Sequence, residues 1–251
     1  MDGPSGFAVT ARDFGLKGPR GWVFRGVSAD AEPGSLIAVE GPSGSGRTCL
    51  LLALTGRMRP TEGLASVGGL ELPRRMSAVR RAGALAHVGG VTDLDPALTV
   101  GEHLREQALL RRRFGGSPVR WPPRPRTARA AEERRLVDTA LTSAGLDLAA
   151  LPKGARTAVR DLERVEALRL SLALALLGRP RLLGVDDADL KLSPAERDTV
   201  WALLRSIAGA GTTVLAVCGE APPDATPVRT GTGRLDDGKE TAGAITATGR
   251  S

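Results

Sequence analysis

Residues 36–53 read LIAVEGPSGSGRTCLLLA. Gly41, Gly44 and Gly46 stand where a G-x-x-x-x-G-K-[ST] template needs a tight backbone, and Thr48 holds its hydroxyl position. Small residues let successive backbone N–H groups turn inward, and a following helix adds its positive N-terminal end. That chemistry is anion capture. The candidate nucleotide-binding set is Gly41, Pro42, Ser43, Gly44, Ser45, Gly46, Arg47, Thr48 and Cys49. Arg47 stands where the template has lysine. A second piece of chemistry lies at Leu182-Leu183-Gly184-Val185-Asp186-Asp187, an apolar run ending in two acids. A strand ending in acid puts a carboxylate at the carboxyl edge of a sheet, beside such a loop. Thr48 and Asp186 are then the expected Mg2+ holders, and Asp187 is placed to orient or deprotonate a water.

These residues need elements to hold them. Leu36–Val39 reads as a strand and the leucine-rich run after the loop as a helix. Residues 6–12 and 22–29 read as an antiparallel edge pair around the turn Gly18-Pro19-Arg20-Gly21. Further short strands are expected at Ala65–Val67, Leu85–Val88, Arg181–Val185 and Thr212–Cys218. Helical periodicity covers Val100–Arg113, Ala128–Ala144, Val165–Leu177 and Pro194–Ala208, the last with Ser193 as N-cap. Alternating strands and helices, with several wholly apolar strands, mean a mostly parallel sheet covered on both faces. The block from about 100 to 165 lacks a strand pattern and reads as an inserted helical subdomain. Residues 221–251 are Pro-, Gly- and Thr-rich and read as a flexible tail to a domain spanning 1–220.

The chain has 251 residues and a formal net charge of +7, carried mostly by arginine; lysine occurs only at Lys17, Lys153, Lys191 and Lys239. Such a balance suits nucleotides, acidic headgroups or nucleic acid without choosing among them. No secretory leader is expected from MDGPSG, and the apolar run Leu170–Leu177 is far short of the roughly 20 residues a membrane span needs. Any membrane crossing would fall to another chain. Cys49 and Cys218 are too few for a disulfide framework, and a reducing cytosol is expected.

The order and phrasing of these segments resemble an ATP-binding cassette (ABC) transporter ATPase subunit, from about residue 7 to 220. GVSADAEPGSLIAVEGPSGSGRTCLLLALTGRMRPTEG, ALTVGEHL at Ala97–Leu104, LALALLGRPRLLGVDD at Leu172–Asp187 and AGTTVLAVC at Ala210–Cys218 carry the likeness. The resemblance implies an α/β P-loop NTPase cassette, with an N-terminal antiparallel edge and the inserted helical subdomain. It also implies ATP and Mg2+ as ligands. The implied partners are a transmembrane transporter subunit and a second nucleotide-binding subunit, on the inner face of the cell membrane.

Five positions depart from the family pattern. Arg47 replaces lysine. The family's glutamine position reads Val88-Gly89-Gly90-Val91. Its signature, LSGGQ, reads Leu162-Glu163-Arg164-Val165-Glu166, which sets acids where a partner's γ-phosphate would lie. The catalytic glutamate position holds Asp187. The switch histidine is absent from Cys218-Gly219-Glu220, and the two histidines, His87 and His103, lie far upstream. The D-loop aspartate position holds Ser193, and Phe14 and Trp22 are candidates for stacking on adenine. These departures predict an ATP–Mg2+-binding chain that hydrolyses weakly alone, and they favour a heteromeric pair over a homodimer. A hydrolysis-poor regulatory or scaffold subunit is the alternative. A nucleic-acid-associated cassette would rest only on Arg111–Arg113, Arg120, Arg124, Arg126 and Arg129 with Phe114 and Trp121 interleaved. A solvated loop explains the same residues, and nucleic acid is not the expected partner.

Overall fold

The computed structural model describes residues 6–114 and 126–231. Most of the Arg- and Pro-rich stretch, and the tail from 232 onward, lie outside the described residues.

Two sheets carry the chain. The first is antiparallel, in the order β2-β1-β4-β5, with β1 Val9–Gly18, β2 Gly21–Ala31, β4 Glu62–Val67 and β5 Leu70–Leu72. The predicted hairpin is present, with Gly18 opposite Gly21 and Val9 opposite Ala31. The second sheet is parallel, in the order β6-β7-β8-β3-β9. Its strands are β3 Leu36–Glu40, β6 Gly83–Ala86, β7 Leu182–Val185, β8 Thr213–Val217 and β9 Thr226–Arg229.

The central strands are apolar throughout because both faces are covered. Leu36 and Ala38 of β3, Leu183 and Val185 of β7, and Val214 and Ala216 of β8 face one core. That core is shared with α5 (Arg164–Leu176) and α6 (Pro194–Gly209). Ile37 and Val39, Leu182, and Leu215 and Val217 face a second core, filled by α1 (Arg47–Leu54) and the antiparallel sheet. Helices α3 (Val100–Phe114) and α4 (Arg126–Ser143) and three short 3-10 turns form the insertion. Among its described residues there is no strand; an isolated bridge, Thr99 to Ala158, ties it to the chain before it.

The cap of α6 forms as its sequence dictates. Ser193 Oγ accepts from Glu196 N–H, and Glu196 Oε2 accepts from Ser193 N–H at 2.7 Å. Three elements escape the sequence reading: β5, α2 (Met76–Ala82) and β9. The last corrects the expected tail. Residues 226–229 pair with β3, and Val228 is buried against the sheet. Proline and threonine hid this strand, because it is short and an edge strand tolerates Pro227.

Candidate nucleotide site

β3 ends at Glu40 and the chain turns through residues 41–46 into α1. Gly46 is the N-cap, at φ 84°. A Cβ there would lie 2.3 Å from the carbonyl oxygen of Val23, so only glycine lets β2 close on the loop. Gly41 is similarly confined, because a Cβ would lie 2.4 Å from Thr230 Oγ1. Pro42, Ser43 and Gly44 are exposed, whereas Ser45 is buried. The loop therefore offers an open glycine-rich mouth on a fixed base.

The loop and the acid lie next to each other at the carboxyl edge of the parallel sheet. Thr48 stands beside Asp186, which is 5% exposed just past β7. Burial pushes the Asp186 carboxyl above its ordinary value of 3.8, and the neighbouring Asp187 charge adds to that. Thr48, the Asp187 backbone N–H and the Arg47 charge pull the other way. A hydroxyl beside a buried carboxylate, at the foot of a glycine cradle, is a donor set that fits Mg2+ with a phosphate chain. Asp187 is half-buried, with a left-handed backbone at φ 46°. Cys49 packs beside this pair; burial and the Asp186 charge raise its thiol.

Arg47 does not reach into the cradle. Its Nη1 donates to the carbonyl oxygen of Cys218, at the end of β8, at 2.5 Å. The next residue, Gly219, donates its N–H to both carboxylate oxygens of Asp189, at 2.9 and 3.1 Å. The phosphate loop, the β8 end and the acid loop are thus tied in one circuit. Asp189 had no signal in the sequence beyond its nearness to Asp187.

At the place of the signature, Glu163 is the N-cap of α5, and its backbone N–H is held by Glu166 Oε2 at 2.8 Å. Arg164 Nη1 donates to Leu190 O at 3.3 Å. Phe14 is fully buried against Phe24, with ring centroids 5.9 Å apart, so it is a core aromatic and not free to stack on a base. Trp22 remains half-exposed, with Arg25 Cζ 4.5 Å and Lys17 Nζ 5.5 Å from its ring centre.

Two features were missed in sequence. β6 ends at Ala86 rather than Val88, so the first residue past the strand is His87, not the turn at 88–91. The other is β9. Thr230 Oγ1 lies 2.6 Å from Ser45 Oγ and donates to Glu40 O at 3.2 Å. Arg229 Nε meets Glu40 Oε1 at 2.5 Å.

A parallel sheet with a glycine-rich loop between β3 and α1, and an acid past a neighbouring strand, defines a P-loop nucleoside-triphosphatase fold. Comparison with known proteins narrows this. Residues 24–189 match the family model described as ABC transporter. Nod factor export ATP-binding protein I of Burkholderia thailandensis is 33% identical over 193 residues, 77% of this chain and 56% of that protein. ABC transporter G family member 11 of Arabidopsis thaliana is 32% identical over 194 residues, 77% of this chain and 26% of that one. The chain belongs to the ABC transporter family and carries its ATP-binding cassette. It spans about half the length of most of the curated relatives it matches. Solved structures agree in fold. A bacterial Atm1-family ABC exporter with ATP bound superimposes at TM-score 0.67, with 22% identity, over 94% of this chain and 38% of that one. A dimeric ATP-binding cassette in a post-hydrolysis state with ADP and Pi gives 0.63 and 20%, over 84% and 88%. Among the described residues no helix is long and apolar enough to cross a membrane.

Proposed function

We propose that this chain is an ATP-binding subunit of a membrane ABC transporter complex, that it holds ATP–Mg2+, and that it hydrolyses ATP slowly by itself. The observation that carries the reading is the Thr48 hydroxyl standing beside buried Asp186 beneath the glycine loop. When bound there, Mg2+ supplies charge neutralisation on the phosphate oxygens. The chain's own work is positioning. The residue 41–46 backbone and the N-terminal end of α1 receive the phosphates, and Thr48 and Asp186 hold the ion.

Slow turnover follows from where Arg47 is spent. Lysine is a compact charge on a flexible stem, whereas arginine is a planar fork. Here that fork is bonded to the Cys218 carbonyl, and phosphate must compete for it. Phosphoryl transfer is mostly positioning and electrostatic stabilisation, so a displaced cation costs rate more than binding. Asp187, one methylene short of glutamate, and Gly219, with no side chain, add to the deficit.

Measuring nucleotide affinity and turnover of the wild type beside Arg47→Lys tests this. Tight binding with slow turnover is expected, and Arg47→Lys is expected to raise turnover severalfold. Rapid wild-type turnover abolished by Asp186→Ala would overturn the slow-hydrolysis reading.

The second reading is a regulatory or scaffold subunit, supported by the α5 N-terminus. Glu166 already occupies the Glu163 N–H there, so this helix end meets a phosphate with two acids and one donor taken. A partner carrying an intact signature would complete the site on this chain, which favours a heteromeric pair at the cytoplasmic face of the membrane. ATPase activity that appears only on mixing with a second cassette subunit supports the pair; equal activity of this chain alone counts against it.

A further inference from the structure

We propose that His87 belongs to the nucleotide site, where its imidazole hydrogen-bonds the terminal phosphate of bound ATP from the β6 edge of the sheet. This rests on the ATP–Mg2+ reading above.

Placement comes first. β6 and β7 run parallel in register, with Ala86 opposite Val185. The next residues along the two strands are His87 and Asp186. Both therefore stand at the carboxyl edge, where ligands of open α/β sheets bind. Thr48 of the phosphate-loop helix already reaches Asp186, so His87 neighbours the same point.

Backbone conformation is the second observation. His87 has φ 54°, and Asp187, past the neighbouring strand, has φ 46°. Left-handed backbone at non-glycine residues costs on the order of 1 kcal/mol or more and persists where surroundings impose it. Here the following turn imposes it. Val88 N–H donates to Thr92 Oγ1 at 2.8 Å, Thr92 N–H returns to Val88 O at 2.9 Å, and Gly90 N–H meets Asp93 at 2.8 Å. The ring is held at the edge by a closed loop, not by a bond of its own. Within the described residues neither ring nitrogen of His87 makes a hydrogen bond.

Need is the third argument. Apart from the phosphate-loop hydroxyls, the other polar side chains at this point are unsuited to a triphosphate oxygen. Asp186 and Asp187 are acids, and Arg47 and Arg164 are bonded to the carbonyls of Cys218 and Leu190. Gly219 offers no side chain. Of the residues that directly follow β6, β7 and β8, His87 is the uncommitted donor. The charges that act on it are Arg164, Asp187, Asp186 and Asp93. Burial and Arg164 push the imidazole below its ordinary value of 6.5, against the pull of the three carboxylates.

The chain has two histidines, which makes the test direct. His103 is buried on α3, with Nε2 3.2 Å from Asp95 O, and serves as an internal reference. The full chain with 13C-labelled histidine gives two ring signals, and His87→Gln assigns them by removing one. Saturation with Mg2+ and a non-hydrolysable ATP analogue is expected to move the His87 signal and leave His103 in place. ADP, lacking the terminal phosphate, moves it less. Occupancy is followed in parallel by a fluorescent ATP analogue. His87→Ala is expected to weaken ATP binding about fivefold, and His87→Gln, which keeps a donor, to stay within about twofold. An unmoved His87 signal at full occupancy overturns the inference and leaves the ATP reading intact. No nucleotide binding at all overturns both.

Discussion

At the scale of single residues, two side chains next to one another in sequence take opposite directions. Thr48 stands beside Asp186, and Arg47 turns across to Cys218. In the proposed reading the first pair holds the ion, so its loss is expected to be felt in Mg2+-dependent binding. Thr48→Ala is expected to lower nucleotide affinity in Mg2+ about tenfold, or ~1.4 kcal/mol, and to change metal-free binding far less. Titration with a fluorescent nucleotide, with and without Mg2+, measures both. Cys218 is also legible at this scale. Burial, with Asp189 and Glu40 adding, pushes its thiol up to about 12. It is expected to resist a thiol-reactive reagent at pH 8 in the folded protein and to react once unfolded. Half-exposed Cys49 reacts first but slowly, since its thiol is raised too. Mass spectrometry of the labelled peptides distinguishes the two.

At the scale of elements, β9 is the segment whose role sequence composition concealed. It adds a fifth strand beside β3 and brings Thr230 under the phosphate loop. Thr230 and Ser45 are both 2% exposed, and Thr230 is the hydrogen-bond partner of the Ser45 hydroxyl. Thr230→Val leaves Ser45 Oγ unsatisfied, and the expected cost is about 1–3 kcal/mol, read as a lower urea midpoint. The same element carries a pH dependence. The hydrogen bond from Arg229 holds the Glu40 carboxyl below its ordinary value of 4.5, against an opposing effect of burial. A carboxyl depressed in the fold binds fewer protons folded than unfolded. Its contribution is therefore complete above about pH 4.5 and is lost as pH falls through the folded value. Amides of β9 are expected to lose exchange protection in that acid window, and Arg229→Gln should weaken the pH dependence, since the Ala221 N–H still favours the charged Glu40.

At the scale of the whole molecule, one parallel sheet separates two cores and both depend on it. Leu215 is fully buried on the α1 side of β8, while its neighbours Val214 and Ala216 face the α5–α6 side. Leu215→Ala is expected to cost about 2–5 kcal/mol. Because β8 contributes to both cores, fluorescence and circular dichroism should report one coincident urea transition. Separate transitions would mean that the cores unfold independently.

Local pattern made much of this readable without coordinates. The phosphate loop, the acid ending β7 and the capped start of α6 are each written within a few adjacent residues. Backbone chemistry and strand alternation fix such features on the spot. The parallel sheet followed from runs such as Leu36–Val39, apolar on both faces. The direction of Arg47 was not readable, because its partner Cys218 lies 171 residues away. Nor was the place of His87, which depends on where β6 ends and on its register with β7. β9 was hidden for the same reason, since its pairing surface is β3, far back in the chain. The sequence alone determined which residues are candidates to hold a nucleotide. Only the tertiary structure decided which of them are free to do so, because that turns on contacts between segments that meet only when the sheet assembles.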